Sequence, residues 1–572
     1  KRYMASAGLS YQILDWLNVA GRVRIDNTHS EYEGKLYASS SNTLTDGSTQ
    51  GHYTVNNGQY SQTYADVLVN INKRIQDFTI VANIGASYSG VTSKELGYAG
   101  PIRETGIPNL FNVYDLDNAK KRATQVGWRE ATESVFASAE VGWKSMLYLT
   151  VTGRNDWASQ LTHSPQASFF YPSVGLSAVI TEMLKLPDWV DYLKVRGSFS
   201  SVGNPYPRFL TYPTYSYDAN KQDWKSQTNY PIGKLYPERT DSWEIGLDAT
   251  LFKDFKLSGS FYYANTYNQT FDPRLPVSSG YDKLYVQTGY VRNYGFEAML
   301  SYGHRWGDFS WDSSFTFSAN KNEIVELVKD YVHPETGKTY NVDKLELKTD
   351  EGRGFGKAKF ILKEGGTLGD LYTHADLKRD INGNILIDDS GNVTAIDNAG
   401  DIKLGSVLPK ANLAWNNSFS YKGINAGFLL TARLGGIVYS ATQAYLDLYG
   451  VSETSAAARD AGGVWVNGRS RVNPQSFYEV VASQSGLPTY YTYSATNLRL
   501  QEAHIGYTIP RRWLGNVCDI NVSLVGRNLW MIYCKAPFDP EAVATTNNYY
   551  QGIDYFMMPS TRNIGFNIKI NF

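Results

Sequence analysis

No run of eighteen apolar residues occurs in the 572-residue chain, which argues against a membrane-crossing helix, since a bilayer's hydrocarbon takes ~20 apolar residues to span. Cysteine is almost absent. Cys518 and Cys534 flank a stretch that reads as one strand, and at ~3.3 Å per residue their α-carbons lie on the order of 50 Å apart, far beyond the ~4.4–6.8 Å a disulfide needs. Both are expected as free thiols, buried as small hydrophobes. Neither sign of charge is in excess, with 54 Lys and Arg against 55 Asp and Glu, so the basic footprint of a nucleic-acid binder is missing. Histidine is sparse: the seven present include no i,i+4 pair and no HExxH, which argues against a zinc hydrolase and, with no other nucleophile constellation, against an enzyme. The first residues, Lys1-Arg2-Tyr3-Met4, show no signal-sequence pattern, as expected of a processed or truncated start.

What the chain does have is aromatic residues and glycine: 43 Tyr, 24 Phe and 13 Trp make an aromatic share of 14%, beside 50 Gly. That composition fits a large β protein. Alternation with period two recurs along the chain, as in Phe78/Ile80/Ala82/Ile84/Ala86/Tyr88 and Val135/Ala137/Ala139/Val141/Trp143, and it is cleanest at the end. There Ile564, Phe566, Ile568, Ile570 and Phe572 share one face, while Asn567, Lys569 and Asn571 share the other. Each such segment reads as a strand with one apolar and one polar face. They number about 17 and run approximately 5–13, 17–27, 62–72, 77–88, 133–143, 147–157, 169–180, 191–202, 240–252, 255–268, 290–302, 308–320, 410–421, 424–434, 496–508, 519–530 and 562–572. Their connections alternate, short turns with long loops at 28–61, 89–132, 158–168, 203–239, 269–289, 321–409, 435–495 and 531–561. Two short connections, 181–191 and 510–518, carry enough residues for a small helix or turn. Short turns at one end and long loops at the other mark an outer-membrane barrel. The reading is therefore all-β, a large antiparallel transmembrane barrel over 1–572. Bacterial barrels normally have an even number of strands, so an odd count implies that the domain is N-terminally incomplete here.

Several stretches resemble the SusC/RagA-like TonB-dependent outer-membrane transporters. They are Gly153-Arg154-Asn155-Asp156-Trp157, Tyr171-Pro172-Ser173-Val174-Gly175-Leu176, Leu193-Lys194-Val195-Arg196-Gly197-Ser198 running into Val202-Gly203-Asn204, Pro237-Glu238-Arg239-Thr240, Asn497-Leu498-Arg499-Leu500, Gly506-Tyr507-Thr508-Ile509-Pro510, Gly526-Arg527-Asn528-Leu529, Phe538-Asp539-Pro540-Glu541 and the terminal strand. The resemblance implies a barrel of about 22 strands closed by a plug. It further implies coupling to the TonB complex through an N-terminal region absent here, and a SusD-like surface lipoprotein that captures oligosaccharide or, in some relatives, peptide. An importer of peptides or siderophores and a passive porin are the alternative functions. Phe572 resembles the terminal aromatic by which barrel-assembly machinery recognises its clients.

Loop aromatics are the candidate ligand contacts, because a sugar ring's apolar face stacks on a flat side chain: Trp224, Tyr230, Trp465, Tyr490, Tyr491, Tyr549, Tyr550 and Tyr555. Interface girdles and loop packing compete for the same residues. Asp380, Asn382, Asn384 and Asp388 stand at positions 1, 3, 5 and 9 of a calcium-loop pattern. The turn Gly falls at position 4 and position 12 is Gly391, so an Asx turn without an ion is the favoured reading and no cofactor is called for.

Overall fold

The computed structural model describes the chain except residues 211–215, 219–222, 226–234, 272–285, 333–336, 338, 348–356, 546–550 and 572. A 17-stranded antiparallel sheet dominates it. Its strands are β1 (Arg2–Leu14), β2 (Leu17–Leu36), β3 (His52–Ile75), β4 (Phe78–Pro101), β5 (Arg122–Trp143), β6 (Leu147–Ala158), β7 (Phe169–Val179), β8 (Val190–Asn204) and β9 (Glu238–Leu251). They continue with β10 (Phe255–Phe271), β11 (Val286–Trp306), β12 (Phe309–Glu326), β13 (Ala411–Tyr421), β14 (Ile424–Leu434), β15 (Asn497–Ile509), β16 (Asp519–Cys534) and β17 (Asn563–Asn571). Every period-two segment of the sequence falls on one of them.

The chain divides into two compact units. The first comprises Lys1–Ser177, Ser198–Asp241 and Asn268–Gln287, and the second Ala178–Gly197, Ser242–Tyr267 and Thr288–Phe572. In the first, β1 to β6 pair antiparallel in chain order. The β3–β4 ladder runs without a register shift from His52↔Pro101 to Ile75↔Phe78, so one parity holds along its whole length and each face keeps its character. One face carries exposed Val23, Val67, Ile84 and Val135. The other carries polar rows, in which the Asn18 amide donates to Ser10 at 2.8 Å, Asn70 to Asn18 at 3.2 Å and Asn83 to Ser138 at 3.2 Å. In the second unit β11 to β17 pair likewise in chain order.

The short connections follow turn chemistry. Lys422 and Gly423 alone join β13 to β14, with φ of 47° and 91°; two successive left-handed residues match the twist of an antiparallel pair. The longer connections carry one helical turn at Ile180–Met183 and a 3₁₀ turn at Arg511–Trp513. Aromatics gather at this end of the second unit, where Trp189 stacks on Phe252 and Trp306 on Phe309 at 5.6 and 5.9 Å.

The strands outrun the sequence reading at the opposite end. The expected loop 28–61 shrinks to 37–51 and 89–132 to 102–121, because β2 to β5 continue as paired ribbons. Their side chains turn polar there, as in Asn56-Asn57-Gly58-Gln59, yet the backbone ladder persists. Residues 203–239 contain a small hairpin, Ser216–Asp218 with Asp223–Lys225. Both thiols are free as expected, but Cys518 and Cys534 are half-buried rather than buried.

Gly85 marks a tight point of the β3–β5 ladder, closed in by a ring and by backbone. A Cβ there would lie 2.6 Å from Phe136 Cζ and 2.9 Å from the Val67 carbonyl oxygen, whereas Gly565 has open space around it. Gly85→Val is expected to lower thermal stability by about 1–3 kcal/mol through overpacking. Gly565→Val should leave the melting curve within error, and heat-modified electrophoretic mobility checks both.

Candidate functional site

In the second unit three long loops, between β12 and β13, β14 and β15, and β16 and β17, fold together into a crown with a hydrophobic core of its own. Phe360, Leu371 and Val407 come from the first loop, Tyr439, Phe477, Val481, Leu487 and Tyr491 from the second, and Ile553 from the third. A four-stranded sheet (Lys344–Glu346, Ala358–Lys363, Asp370–Thr373, Ile402–Ser406) lies within the first loop. Ile437–Ser440 pairs antiparallel with Thr492–Ser494 and parallel with Ile553–Asp554, which ties the other two loops together.

Among the described residues, each of the three crown α-helices starts on a side-chain cap, which satisfies otherwise orphaned amides. Ser440 caps Ala441–Leu448, Ser452 caps Glu453–Asp460, and Asn473 caps Pro474–Val481, with Pro in its first turn. The Ser440 hydroxyl also donates to Asp554 at 2.5 Å. Asp447 is buried, a costly placement for a carboxylate unless it is fully hydrogen-bonded. It accepts from Ser452, from Thr454 at 2.8 Å and from Tyr491 at 2.9 Å. Burial first, and then the Asp447 charge, push the Tyr491 hydroxyl far above its ordinary pKa. On the crown sheet, Lys344 and Lys363 each reach Asp401 at 2.7 Å and hold its carboxyl down to about 2.

The expected ligand aromatics separate into three groups. Trp465 is 56% exposed on the hairpin Val464–Val466/Ser470–Val472, its ring held by the Arg471 guanidinium 4.5 Å from the centroid. Trp224, in the first unit, is also exposed and meets Tyr217 edge-on at 5.3 Å. Tyr490 and Tyr555 are half-buried against Phe477 and against Tyr445 with Phe556. Tyr491 corrects the sequence reading: it is 2% exposed and its hydroxyl is spent on Asp447, so it belongs to the core. Tyr230, Tyr549, Tyr550 and Phe572 lie outside the described residues.

Asp380 and Asp388 serve two separate turns of the form Asp-x-x-Gly-Asn. Asp380 accepts the backbone N–H groups of Asn382 and Asn384 at 2.9 and 2.8 Å and the Asn384 side-chain amide at 3.1 Å. Asp388 accepts from Ser390 and Asn392 at 2.9 and 2.8 Å. Gly383 and Gly391 take φ of 82° and 80° at matching positions. These are Asx turns, and among the described residues no three acid, histidine or cysteine side chains converge on a metal position.

Beside the crown, within the same unit, the polar faces of the strands enclose a cavity of 830 Å³ lined by Arg196, Glu297, Asn412, Arg433, Gln501 and Glu541 among others. Arg196 pairs with Glu244 at 3.2 Å. Arg433 donates to the Val407 carbonyl at 2.7 Å while its Nε lacks a partner among the described residues. Arg196 and Glu541 fall within motif stretches, whereas Glu297, Asn412, Arg433 and Gln501 carry no sequence signal beyond lying on the strands of the sheet.

The motif stretches turn out to be mutual partners. Arg499, 8% exposed, meets Asp539 at 2.9 and 3.2 Å and Glu541 at 3.2 Å. Burial works against the Asp539 charge, but the Arg499 guanidinium and the Glu541 amide outweigh it and hold the carboxyl below its usual range. In the first unit Arg154 joins Asp156 at 2.7 Å, Tyr171 at 3.0 Å and Ser134 at 2.7 Å, and Tyr171 also donates to Asp156. Arg239 reaches Ser201 at 2.9 Å.

The sheet, its loops and these paired motifs coincide with a known family. The family described as TonB dependent receptor-like, beta-barrel matches residues 1–529. The chain belongs to that family. TonB-dependent receptor P3 of Formosa agariphila is 24% identical over 524 residues, 85% of this chain and 50% of that protein. TonB-dependent receptor SusC of Bacteroides thetaiotaomicron is 24% identical over 433 residues, 69% of this chain and 40% of that protein. The fold matches a chain of the RagAB peptide transporter with a TM-score of 0.74 at 17% identity, covering all of this chain and 62% of that one. The chain thus spans about half the length of the curated relatives it matches. The family is one of receptors, not enzymes, and it resides in the outer membrane.

In that setting the apolar face meets lipid. On β17, Ile564, Phe566, Ile568 and Ile570 are 70, 79, 55 and 48% exposed, and Phe566 and Ile568 stand opposite Leu524 and Val522 on the same face. Ile568→Lys near the bilayer midplane is expected to cost about 2–4 kcal/mol and to deplete the protein from purified outer membranes, with Asn567→Lys retained at wild-type level. Arg499→Met, which strands a buried carboxylate, should destabilise by about 3–5 kcal/mol. Arg499→Met/Asp539→Leu should cost less than the Arg499 change alone, measured by thermal unfolding in detergent.

Proposed function

We propose that the chain forms the barrel of a longer, TonB-coupled importer that carries oligosaccharides across the outer membrane, receiving them from a SusD-like surface lipoprotein. The observation that carries the oligosaccharide reading is Trp465. A flat ring, exposed and steadied by Arg471, projects from a crown with its own buried core, and such a platform takes the apolar face of a pyranose without reorganising. The polar cavity beside the crown supports a hydrophilic cargo, since its amides, hydroxyls and charged groups can replace a sugar's hydration shell. Likeness to SusC and to a RagAB chain supports a lipoprotein partner. The span of about half the relatives' length supports a plug and TonB-binding region elsewhere in the protein.

A strain deleted for the gene is expected to lose growth on at least one defined glycan and to keep growth on peptides. Intact growth on every glycan, with growth lost on peptides, would overturn the oligosaccharide reading. For the glycan so identified, Trp465→Ala should weaken binding about tenfold by isothermal titration, a loss of about 1.4 kcal/mol.

A further inference from the structure

The lipid-facing wall of the first unit is not smooth. Along β4 the outward residues are Phe78, Ile80, Ala82, Ile84, Ala86 and Tyr88, followed by Gly90, Thr92 and Lys94. Ten residues of strand at ~3.3 Å, tilted as outer-membrane strands are, span the ~25 Å apolar band. Tyr88 therefore stands at the outer-leaflet border. Just inside that border the wall holds a hollow of 770 Å³. Its floor is small because Gly21, Val67 and Ala86 stand opposite one another in register, with Ala65 beside them. Its sides are Leu9, Val23, Tyr88, Val135 and Trp157, all exposed.

A second hollow, of 690 Å³, lies farther out on the same strands and is lined by His29, Asn57, Gln59, Lys94 and Gln125 among others, with the Glu95 carboxylate also bordering it from the opposite parity of β4. The β2–β3, β3–β4 and β4–β5 ladders carry no register shift here. Ala86 to Lys94 and Val135 to Arg129 are even steps, so both cations share the face of the apolar hollow. Eight residues of tilted strand correspond to ~20 Å along the membrane normal, enough to separate a leaflet's ~15 Å of hydrocarbon from its headgroups. Arg129, opposite Thr92, sits between the two hollows. Neither Arg129 nor Lys94 has an ion-pair partner among the described residues. Glu133, exposed at the rim of the inner hollow, can accept hydrogen bonds from hydroxyls or amides but repels phosphate.

We infer that this wall binds one outer-leaflet saccharolipid, its acyl chains in the apolar hollow, its phosphoryl group on Arg129 and Lys94, and its sugar hydroxyls or amides toward Glu133. Uncovered cations at headgroup level above an apolar recess complement acyl chains bearing a phosphate, and a lone hydrocarbon chain would leave the cations unused. The site rests on the wall facing lipid and is independent of the cargo.

The test is native mass spectrometry of the protein purified from outer membranes, delipidated in detergent and titrated with diphosphoryl lipid A, with its dephosphorylated form or with phosphatidylcholine. We expect one retained diphosphoryl lipid A, at least tenfold preferred over both other lipids. Lys94→Glu/Arg129→Glu should cut retention at least tenfold, as should Ala86→Trp, which fills the inner hollow. Lys73→Glu, at the opposite rim of the band beside Trp16, should leave retention unchanged and controls for net charge. Heat-modified mobility shows which variants are folded. Equal retention of the dephosphorylated lipid, or undiminished retention by folded Lys94→Glu/Arg129→Glu, would overturn the site.

Discussion

A strand that crosses hydrocarbon has no water to take its amide and carbonyl groups, and each unmet group costs several kcal/mol, so the neighbouring strand must satisfy every one. That constraint requires the ladders of the first unit to run unbroken through the apolar band, and β3–β4 pairs from end to end without a bulge. An uninterrupted ladder also fixes parity, and parity sorts side chains between lipid and lumen. The polar row Ser10–Asn18–Asn70 and the exposed row Val23, Val67 and Val135 are two results of one register. The turn at Lys422-Gly423 belongs to the same economy of structure: two left-handed residues reverse the chain without spending a ladder bond.

The crown obeys the opposite solvent rule. Water covers it, so its stability has to come from its own apolar core and from polar groups matched one by one. Asp447 is the clearest case: three hydroxyls converge on one buried carboxylate and tie two helices to Tyr491, which leads into the strand Thr492–Ser494. The cap residues Ser440, Ser452 and Asn473 do similar work for helices only two turns long, which would not hold in isolation. A frame fixed in this way lets a few side chains, Trp465 foremost, remain exposed without collapsing onto the surface.

This contrast also explains what the sequence disclosed. Hydropathy alternation exists only where one face meets lipid and the other water, so β13 and β14 could be read at 410–421 and 424–434 almost as they stand. Beyond the band both faces are wet. Glu31-Tyr32-Glu33-Gly34-Lys35 carries no alternation that betrays a strand, yet its backbone still pairs with β3 up to Leu36↔His52. The crown core was hidden for a different reason: Phe360, Tyr439 and Ile553 come from three loops far apart in the chain, and nothing local reports their meeting. Tyr491 was misread as a surface aromatic because a loop position and a ring do not reveal whether the ring points out or in.

The family motifs join the two regimes. Arg499 stands near the start of β15 and Asp539 just beyond β16, and their ion pair holds the crown's third loop to the wall at the level where the ladder ends. Arg154, Asp156 and Tyr171 do the same between β6 and β7 in the first unit. Buried ion pairs add little net stability beside a well-packed apolar alternative, but stranding one partner is expensive, so their effect is to penalise any other register or docking. Along a wall whose strands are chemically alike, one-residue slips would otherwise compete. The residues that carry the resemblance to known receptors therefore act as registry pins, placed at strand ends and loop roots.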